Sequence, residues 1–144
     1  MIGVIILLLN TICIVSSQTS LTPCGLGDLP TFFQAGTCTT SPCTFIRGSS
    51  VSIKIVYTYP VGTLIPLLKL TLEPLSGFYF PVELVFKACT SGPCPVTTGQ
   101  TVTYQFYQEV YNWIPTGSFK VTGRLYTTVG QQLFCAYTNV IITV

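Results

Sequence analysis

Hydrophobic and polar residues alternate along several stretches of this 144-residue chain. The clearest stretch covers residues 50–59, where apolar or aromatic residues occupy every second position: Val51, Ile53, Ile55, Tyr57 and Tyr59. A period of two, built from β-branched and aromatic residues, is typical of a strand that buries one face. The pattern therefore predicts a half-buried strand here.

Three further stretches have the same period, and they cover residues 101–106, 119–125 and 133–144. Residues 64–72 and 78–86 are weaker strand candidates. Turn-forming residues separate these stretches, and no segment has a convincing helical period. Strands at this spacing predict an all-β sandwich or barrel, and the sandwich is favoured because Cys24 and Cys135 could tie the first strand to the last.

The first 17 residues differ from the rest of the chain. An apolar run at 4–9, a second at 12–15 and the small pair Ser16-Ser17 are typical of a secretory signal peptide. The apolar run is too short to cross a membrane, although a signal anchor is the alternative. We therefore expect a signal peptide over 1–17 and one mature domain over 18–144.

Cleavage of that segment would remove Cys13 and leave six cysteines, an even number that fits an oxidising compartment. Zinc is the competing explanation. However, the sequence has no histidine, and the close pairs Cys38/Cys43 and Cys89/Cys94 each enclose four residues, which is not a zinc-ribbon spacing. We therefore expect disulfides and no metal.

Six cysteines allow about 15 pairings. Locality favours Cys38 with Cys43 and Cys89 with Cys94, each stabilising the fold by roughly 2 kcal/mol in the chain-entropy model. A bond between Cys24 and Cys135 would close most of the domain and contribute roughly 4 to 5 kcal/mol.

The charges of the chain exclude some classes of function. Only 7% of the residues are charged and the net charge is +2, whereas a nucleic-acid binder normally has a clustered basic face. Without histidine the chain lacks the usual general base near neutral pH and the Ser-His-Asp arrangement. Four carboxylates are left for a glycosidase-like site, namely Asp28, Glu73, Glu83 and Glu109. We expect no enzymatic activity and no cofactor.

The chain is apolar for a protein with so little charge. Its mean hydropathy is +0.63, and it contains nine Phe and eight Tyr. Composition alone is explained by the packed core that every sandwich needs, and the signal peptide adds to the hydropathy. A cavity for an apolar ligand is the alternative.

Several short motifs carry a family resemblance. They are Cys24-Gly25, Ser41-Pro42-Cys43, Arg47-Gly48-Ser49, the segment from Cys89 to Pro95, the segment from Gly99 to Tyr104, and Phe134-Cys135. Because these motifs occur in this order, the chain resembles the ML lipid-recognition domain. The resemblance is to its Niemann-Pick C2-like branch, which includes phosphatidylglycerol/phosphatidylinositol transfer proteins.

The resemblance implies an immunoglobulin-like β-sandwich whose two sheets part around an apolar ligand cavity. It also implies the disulfides Cys24 with Cys135, Cys38 with Cys43, and Cys89 with Cys94. The residues that it places at the cavity entrance are Phe80, Pro81, Val110, Ile114 and Pro115. Ile114 replaces the aromatic residue of the sterol-binding members, and this departure favours a phospholipid over a sterol.

The segment 111–115 contains two amphipathic aromatic residues, Tyr111 and Trp113. We expect both rings to dock at a membrane interface, where such rings concentrate; the alternative is that Trp113 packs under its loop. The sequence thus predicts a monomeric lipid carrier, secreted or resident in the endosomal or lysosomal lumen, with transient membrane contact. The rival prediction is an extracellular recognition module with a solid core that binds a protein or a microbial glycolipid.

Overall fold

A computed structural model describes residues 18–77 and 80–144. The predicted signal peptide, residues 1–17, and the first two residues of the weak strand candidate at 78–86 lie outside the described residues. The described chain contains nine strands and one short 3-10 helix. Among these residues, no helix is both long and apolar enough to cross a membrane.

The nine strands form two sheets. The strands are β1 Thr22–Pro23, β2 Phe32–Ala35, β3 Cys43–Ile46, β4 Ser50–Thr58, β5 Leu67–Pro74, β6 Val82–Lys87, β7 Thr101–Glu109, β8 Gly117–Tyr126 and β9 Gln132–Thr143. The larger sheet has the order β1-β9-β8-β5-β6, and β3 also pairs with β9. The smaller sheet has the order β2-β4-β7. This immunoglobulin-like sandwich confirms the predicted fold class.

All six stretches predicted as strands contain strands, and β4, β6 and β7 follow the period of two. In β8 the expected outer residue Thr122 is buried as well, so this strand does not show the predicted alternation. In β4, Val51, Ile55 and Tyr57 are buried whereas Lys54 is exposed. The strands β1, β2 and β3 were missed because two to four residues are too few to show a period.

The apolar core is divided into two clusters of buried residues. One contains Tyr57, Tyr59, Tyr104 and Phe134. The other contains Val51, Val110, Ile114, Phe119 and Val140. Half-buried apolar side chains pack against these clusters. The half-buried Phe33 and Ile53 pack against both clusters and connect them.

Three disulfides join the pairs that the resemblance implies. Cys24 bonds Cys135 across 111 residues of sequence, and the bonds Cys38–Cys43 and Cys89–Cys94 each join residues five apart. The Cys89–Cys94 loop lies against β7. A Cβ atom on Gly92 would come 2.5 Å from Cε1 of Tyr104, so only glycine lets this loop approach the ring so closely.

Candidate functional site

The space between the sheets is bordered by two strands that do not pair with each other. β6 is the last strand of the larger sheet and β7 is the last strand of the smaller one. On the inner face of β6, Val82, Leu84 and Phe86 are only half-buried although they are apolar. Apolar inner-face residues that remain partly accessible indicate that the opposite sheet does not cover them.

A first apolar cavity, here called the Val110 chamber, has a volume of about 150 Å³. Both sheets and the loop after β7 contribute to its wall. Its apolar lining includes Phe33, Phe45, Val51, Ile53, Leu70, Leu72, Val82, Leu84, Val110, Ile114, Val121 and Val140. Its polar lining is confined to a few side chains, which include Gln108, Glu109 and Thr138.

A second cavity, here called the Tyr104 chamber, has a volume of about 180 Å³. Its inner wall is aromatic and includes Tyr57, Phe86, Tyr104 and Phe134. Its remaining wall contains polar residues from the end of β6 and the Cys89–Cys94 loop, namely Lys87, Thr90 and Ser91. Ile55, Leu68 and Phe106 line both chambers.

Three tyrosines of the core cluster beside this chamber, Tyr57, Tyr59 and Tyr104, are held in their neutral form. The hydroxyl groups of Tyr59 and Tyr104 are 2.5 Å apart and share a hydrogen bond. Burial raises the pKa of both, and the shared bond raises that of Tyr59 further. Burial, reinforced by the Asp28 carboxylate, raises the pKa of Tyr57 to about 12. The hydroxyl group of Tyr57 has no hydrogen-bond partner among the described residues.

One polar side chain in the wall of the Val110 chamber is likewise unpaired. The Oγ1 atom of Thr138 is buried and has no partner within the described part of the chain. Thr138 lies in the inner row of β9, next to Val140. The chamber therefore offers apolar contact and few polar groups that could fix a polar ligand.

The loop after β7 forms one end of the Val110 chamber, and the segment after β3 fixes it. The amide of Gly48 donates to the carbonyl oxygen of Val110 at 2.6 Å. The amide of Val110 in turn donates to the carbonyl oxygen of Ser49 at 2.8 Å. Nη1 of Arg47 lies 3.3 Å from the carbonyl oxygen of Ile114. Gly48 has φ +80, a conformation that favours glycine. The Arg47-Gly48-Ser49 motif thus positions the cavity wall.

The predicted entrance residues occupy different positions. Val110 and Ile114 are buried and line the Val110 chamber. Phe80 is 91% exposed, and neither it nor the exposed Pro81 lies on the chamber wall. Pro115 is half-buried and also lies off the wall. The roles of all five residues in lipid contact stay predictions.

The two predicted docking residues form a stacked pair. The rings of Tyr111 and Trp113 have centroids 5.5 Å apart and an interplanar angle of 14°. Tyr111 also lines the Val110 chamber, whereas Trp113 is 61% exposed. Trp113 therefore lies on the outer side of the loop and not under it.

Sequence reasoning missed several residues of the wall. Phe33 and Ala35 come from β2, and Phe45 comes from β3. The adjacent Phe32-Phe33 pair and the apolar residues after Cys43 were the available signals. Neither distinguishes a wall residue from a core residue. Within the described segments, no group of three His, Cys, Asp or Glu side chains could hold a metal ion.

A disulfide-linked β-sandwich that parts around apolar chambers is the architecture of the ML domain. The sequence agrees: residues 18–142 match the ML-domain family. The chain therefore belongs to the ML-domain family, a family of lipid-recognition proteins. None of the curated protein sequences matches this chain significantly.

Solved structures provide a second comparison. A Niemann-Pick type C2 protein from the Japanese carpenter ant superposes with a TM-score of 0.73 at 18% identity, covering 87% of this chain and 100% of the ant protein. Chicken MD-1, solved in complex with lipid IVa, superposes with a TM-score of 0.56 at 16% identity, covering 83% of this chain and 86% of MD-1. At these identities the likeness establishes the fold.

Proposed function

We propose that this protein binds one lipid between its two sheets and carries it between membranes without a covalent step. The observation that carries the proposal is the Val110 chamber, an apolar cavity of about 150 Å³ whose walls come from both sheets. Family membership supports lipid as the ligand, and chicken MD-1 was crystallised with a lipid.

An apolar chamber suits a carrier for a thermodynamic reason. Each methylene group kept from water contributes about 0.8 kcal/mol, so a long acyl chain leaves a membrane only against a cost of roughly 10 kcal/mol. A chamber lined by Val, Leu, Ile and Phe offers the tail an environment similar to that of the bilayer. The carrier therefore lowers the cost of the aqueous crossing.

The end of the sandwich at Val110 also has features that suit membrane contact. The exposed apolar side chains Leu75, Phe80 and Trp113 belong to the β5–β6 and β7–β8 connections. The amide of Leu75 donates to the carbonyl oxygen of Ser118 at 2.9 Å, which joins the β5–β6 connection to the beginning of β8, directly after the β7–β8 connection. Aromatic and apolar residues at this end would enter the headgroup region, where Trp is favoured.

A phospholipid is the ligand that we favour over a sterol, because Ile114 stands where the resemblance to the sterol-binding members would place an aromatic residue. The three disulfides support residence in the secreted fluid or in the endosomal or lysosomal lumen. We expect the protein to act as a monomer that contacts membranes transiently.

Native mass spectrometry of the secreted, oxidised protein tests the binding. We expect one lipid per chain after incubation with liposomes that contain phosphatidylglycerol, phosphatidylinositol and cholesterol. Val121→Phe should lower the bound fraction at least tenfold, because Val121 lines the Val110 chamber. Val85→Phe is the matched control, since Val85 points outward from β6 and is 54% exposed. A consistently empty wild-type protein would overturn the proposal and favour the recognition module.

A transfer assay between donor and acceptor vesicles tests membrane docking separately. Trp113→Ala should slow transfer several-fold while the amount of bound lipid stays the same, because Trp113 does not line either chamber. Val129→Ala is the control, because Val129 is 89% exposed and lies in the β8–β9 turn. Equal transfer rates for wild type and Trp113→Ala would refute docking through this ring.

A further inference from the structure

The two chambers follow one another along the same four strands. On β4, Val51 and Ile53 line the Val110 chamber alone, Ile55 lines both chambers, and Tyr57 lines the Tyr104 chamber alone. On β7 the inward-facing residues keep the same order, from Gln108 through Phe106 to Tyr104. Tyr107, whose side chain is 74% exposed, also lines the Tyr104 chamber. The chambers are therefore consecutive parts of one inter-sheet space.

The side chains of Ile55, Leu68 and Phe106 lie where the two parts meet, because they line both chambers. Phe106 lines both chambers, and its ring lies 5.6 Å from the ring of Phe86, with an interplanar angle of 34°. Phe86 belongs to β6 and Phe106 to β7, so the ring pair closes the gap between the two unpaired edge strands. Both rings are only half-buried. A rotation of these side chains would join the chambers without breaking a sheet.

The dimensions indicate that a membrane lipid would need both chambers. At about 3.3 Å per residue, the Val110 chamber extends about 13 Å along β4 from Val51 to Ile55, and both chambers together extend about 20 Å to Tyr57. One acyl tail occupies half of the hydrocarbon core of a bilayer, about 15 Å. Together the chambers also reach roughly 300 Å³, the lower limit for typical small-molecule sites, which neither reaches alone.

We propose that the site takes one unbranched hydrocarbon tail that runs from the Val110 chamber into the Tyr104 chamber, and that the Phe86–Phe106 pair sets the tail length that binds most tightly. This inference rests on the proposed lipid binding and specifies its ligand class. A short tail fills the Val110 chamber alone. A longer tail gains further contacts only after the two rings have parted.

Binding of saturated fatty acids with 8 to 18 carbons, measured below their micelle concentrations, tests the role of the ring pair. Each methylene removed from water should raise the affinity about fourfold, which corresponds to about 0.8 kcal/mol. In the wild type this rise should become shallower once the tail reaches Phe106. In Phe106→Leu the full rise should continue, so that the affinity ratio between 18 and 12 carbons increases at least tenfold.

Phe45→Leu is the matched control for this substitution. Phe45 is also half-buried, but of the two chambers it lines only the Val110 chamber, so its truncation does not join them. The ratio between 18 and 12 carbons should stay at the wild-type value. Phe86→Leu, on β6, should behave as Phe106→Leu does. It replaces Phe106→Leu in the experiment if that variant folds poorly.

Photo-crosslinking locates the end of the tail directly. A fatty acid of 18 carbons with a diazirine on its terminal carbon should label residues that line the Tyr104 chamber alone, such as Tyr104 and Phe134. An acid of 10 carbons should label residues of the Val110 chamber, such as Val140.

The outcomes separate this inference from the proposed function. If the wild type binds fatty acids but the length preference is the same in Phe106→Leu and Phe86→Leu, or if long tails label only the Val110 chamber, the ring pair does not set tail length. If the wild type binds neither fatty acids nor membrane lipids, lipid binding itself is refuted.

Discussion

Nη1 of Arg47 lies 3.3 Å from the carbonyl oxygen of Ile114 and 3.4 Å from that of Asn112. A side chain that follows β3 therefore holds the loop that carries both the wall residue Ile114 and the exposed Trp113. One guanidinium group thus contacts the loop that carries both the cavity wall and the predicted docking residue, beside the backbone bonds from Gly48 and Ser49. A hydrogen bond from a charged donor to a backbone carbonyl is stronger than a hydrogen bond from a neutral donor.

Arg47→Gln should loosen this loop. We expect Trp113, the one tryptophan in the chain, to lose fluorescence anisotropy, and the free energy of unfolding to fall by about 1 kcal/mol. Arg124→Gln is the control, because Arg124 lies on the outer face of β8, away from the loop. Unchanged anisotropy in Arg47→Gln would show that the loop is held by its backbone bonds to Gly48 and Ser49 instead.

The raised pKa of Tyr57 predicts that the protein loses stability at alkaline pH. Its pKa is raised to about 12 by burial, whereas an unfolded tyrosine has a pKa of 10.0. Above pH 10 the unfolded chain therefore loses a proton that the folded chain keeps, and stability falls as pH rises from 10 towards 12, by up to about 1.4 kcal/mol per pH unit from this group.

Urea unfolding between pH 8 and pH 11 measures this effect. Near pH 8, Tyr57→Phe should be more stable than the wild type by about 1 kcal/mol, because the hydroxyl group it removes is buried and has no partner among the described residues. Above pH 10 its stability should fall less steeply, although Tyr59 and Tyr104 still contribute a decline. Parallel curves for the two proteins would contradict the assignment to Tyr57.

Thr138→Val should stabilise the protein. The Oγ1 atom of Thr138 is buried without a partner in the described structure, and valine has nearly the same shape without the hydroxyl group. Removal of such an atom should raise the free energy of unfolding by about 1 kcal/mol and the melting temperature by a few degrees. Thr138→Ser, which keeps the hydroxyl and loses the methyl group, should lower both. A less stable Thr138→Val protein would indicate that a bound molecule satisfies this hydroxyl.

The disulfides should differ in their contributions. In the chain-entropy model, removal of Cys24–Cys135 by paired alanine substitutions should cost roughly 4 to 5 kcal/mol, against roughly 2 kcal/mol for Cys38–Cys43. The reason is the length of chain that each bond closes, with sequence separations of 111 and 5. Equal losses in urea unfolding would indicate that local packing, and not loop closure, determines both values.

The short strands and the chamber wall mark the limits of sequence reasoning. Long strands such as β4 and β9 were predictable, because each alternates over enough residues to reveal its buried face. Phe33 and Phe45 belong to four-residue strands and gave no period. Phe80 is predicted at the entrance from a resemblance, and this role stays a prediction; its side chain is 91% exposed and does not line either chamber.

The sequence by itself determined the all-β class, the inner row of a long strand such as β4 and the cysteines available for bonding, because these depend on local periodicity and on residue chemistry. Only the tertiary structure decided that the inter-sheet space is divided in two, that Phe86 faces Phe106, and that Arg47 holds the loop of Ile114. The physical reason is that these contacts join residues far apart in the chain. Their geometry follows from how two twisted sheets pack, and no local pattern encodes that packing.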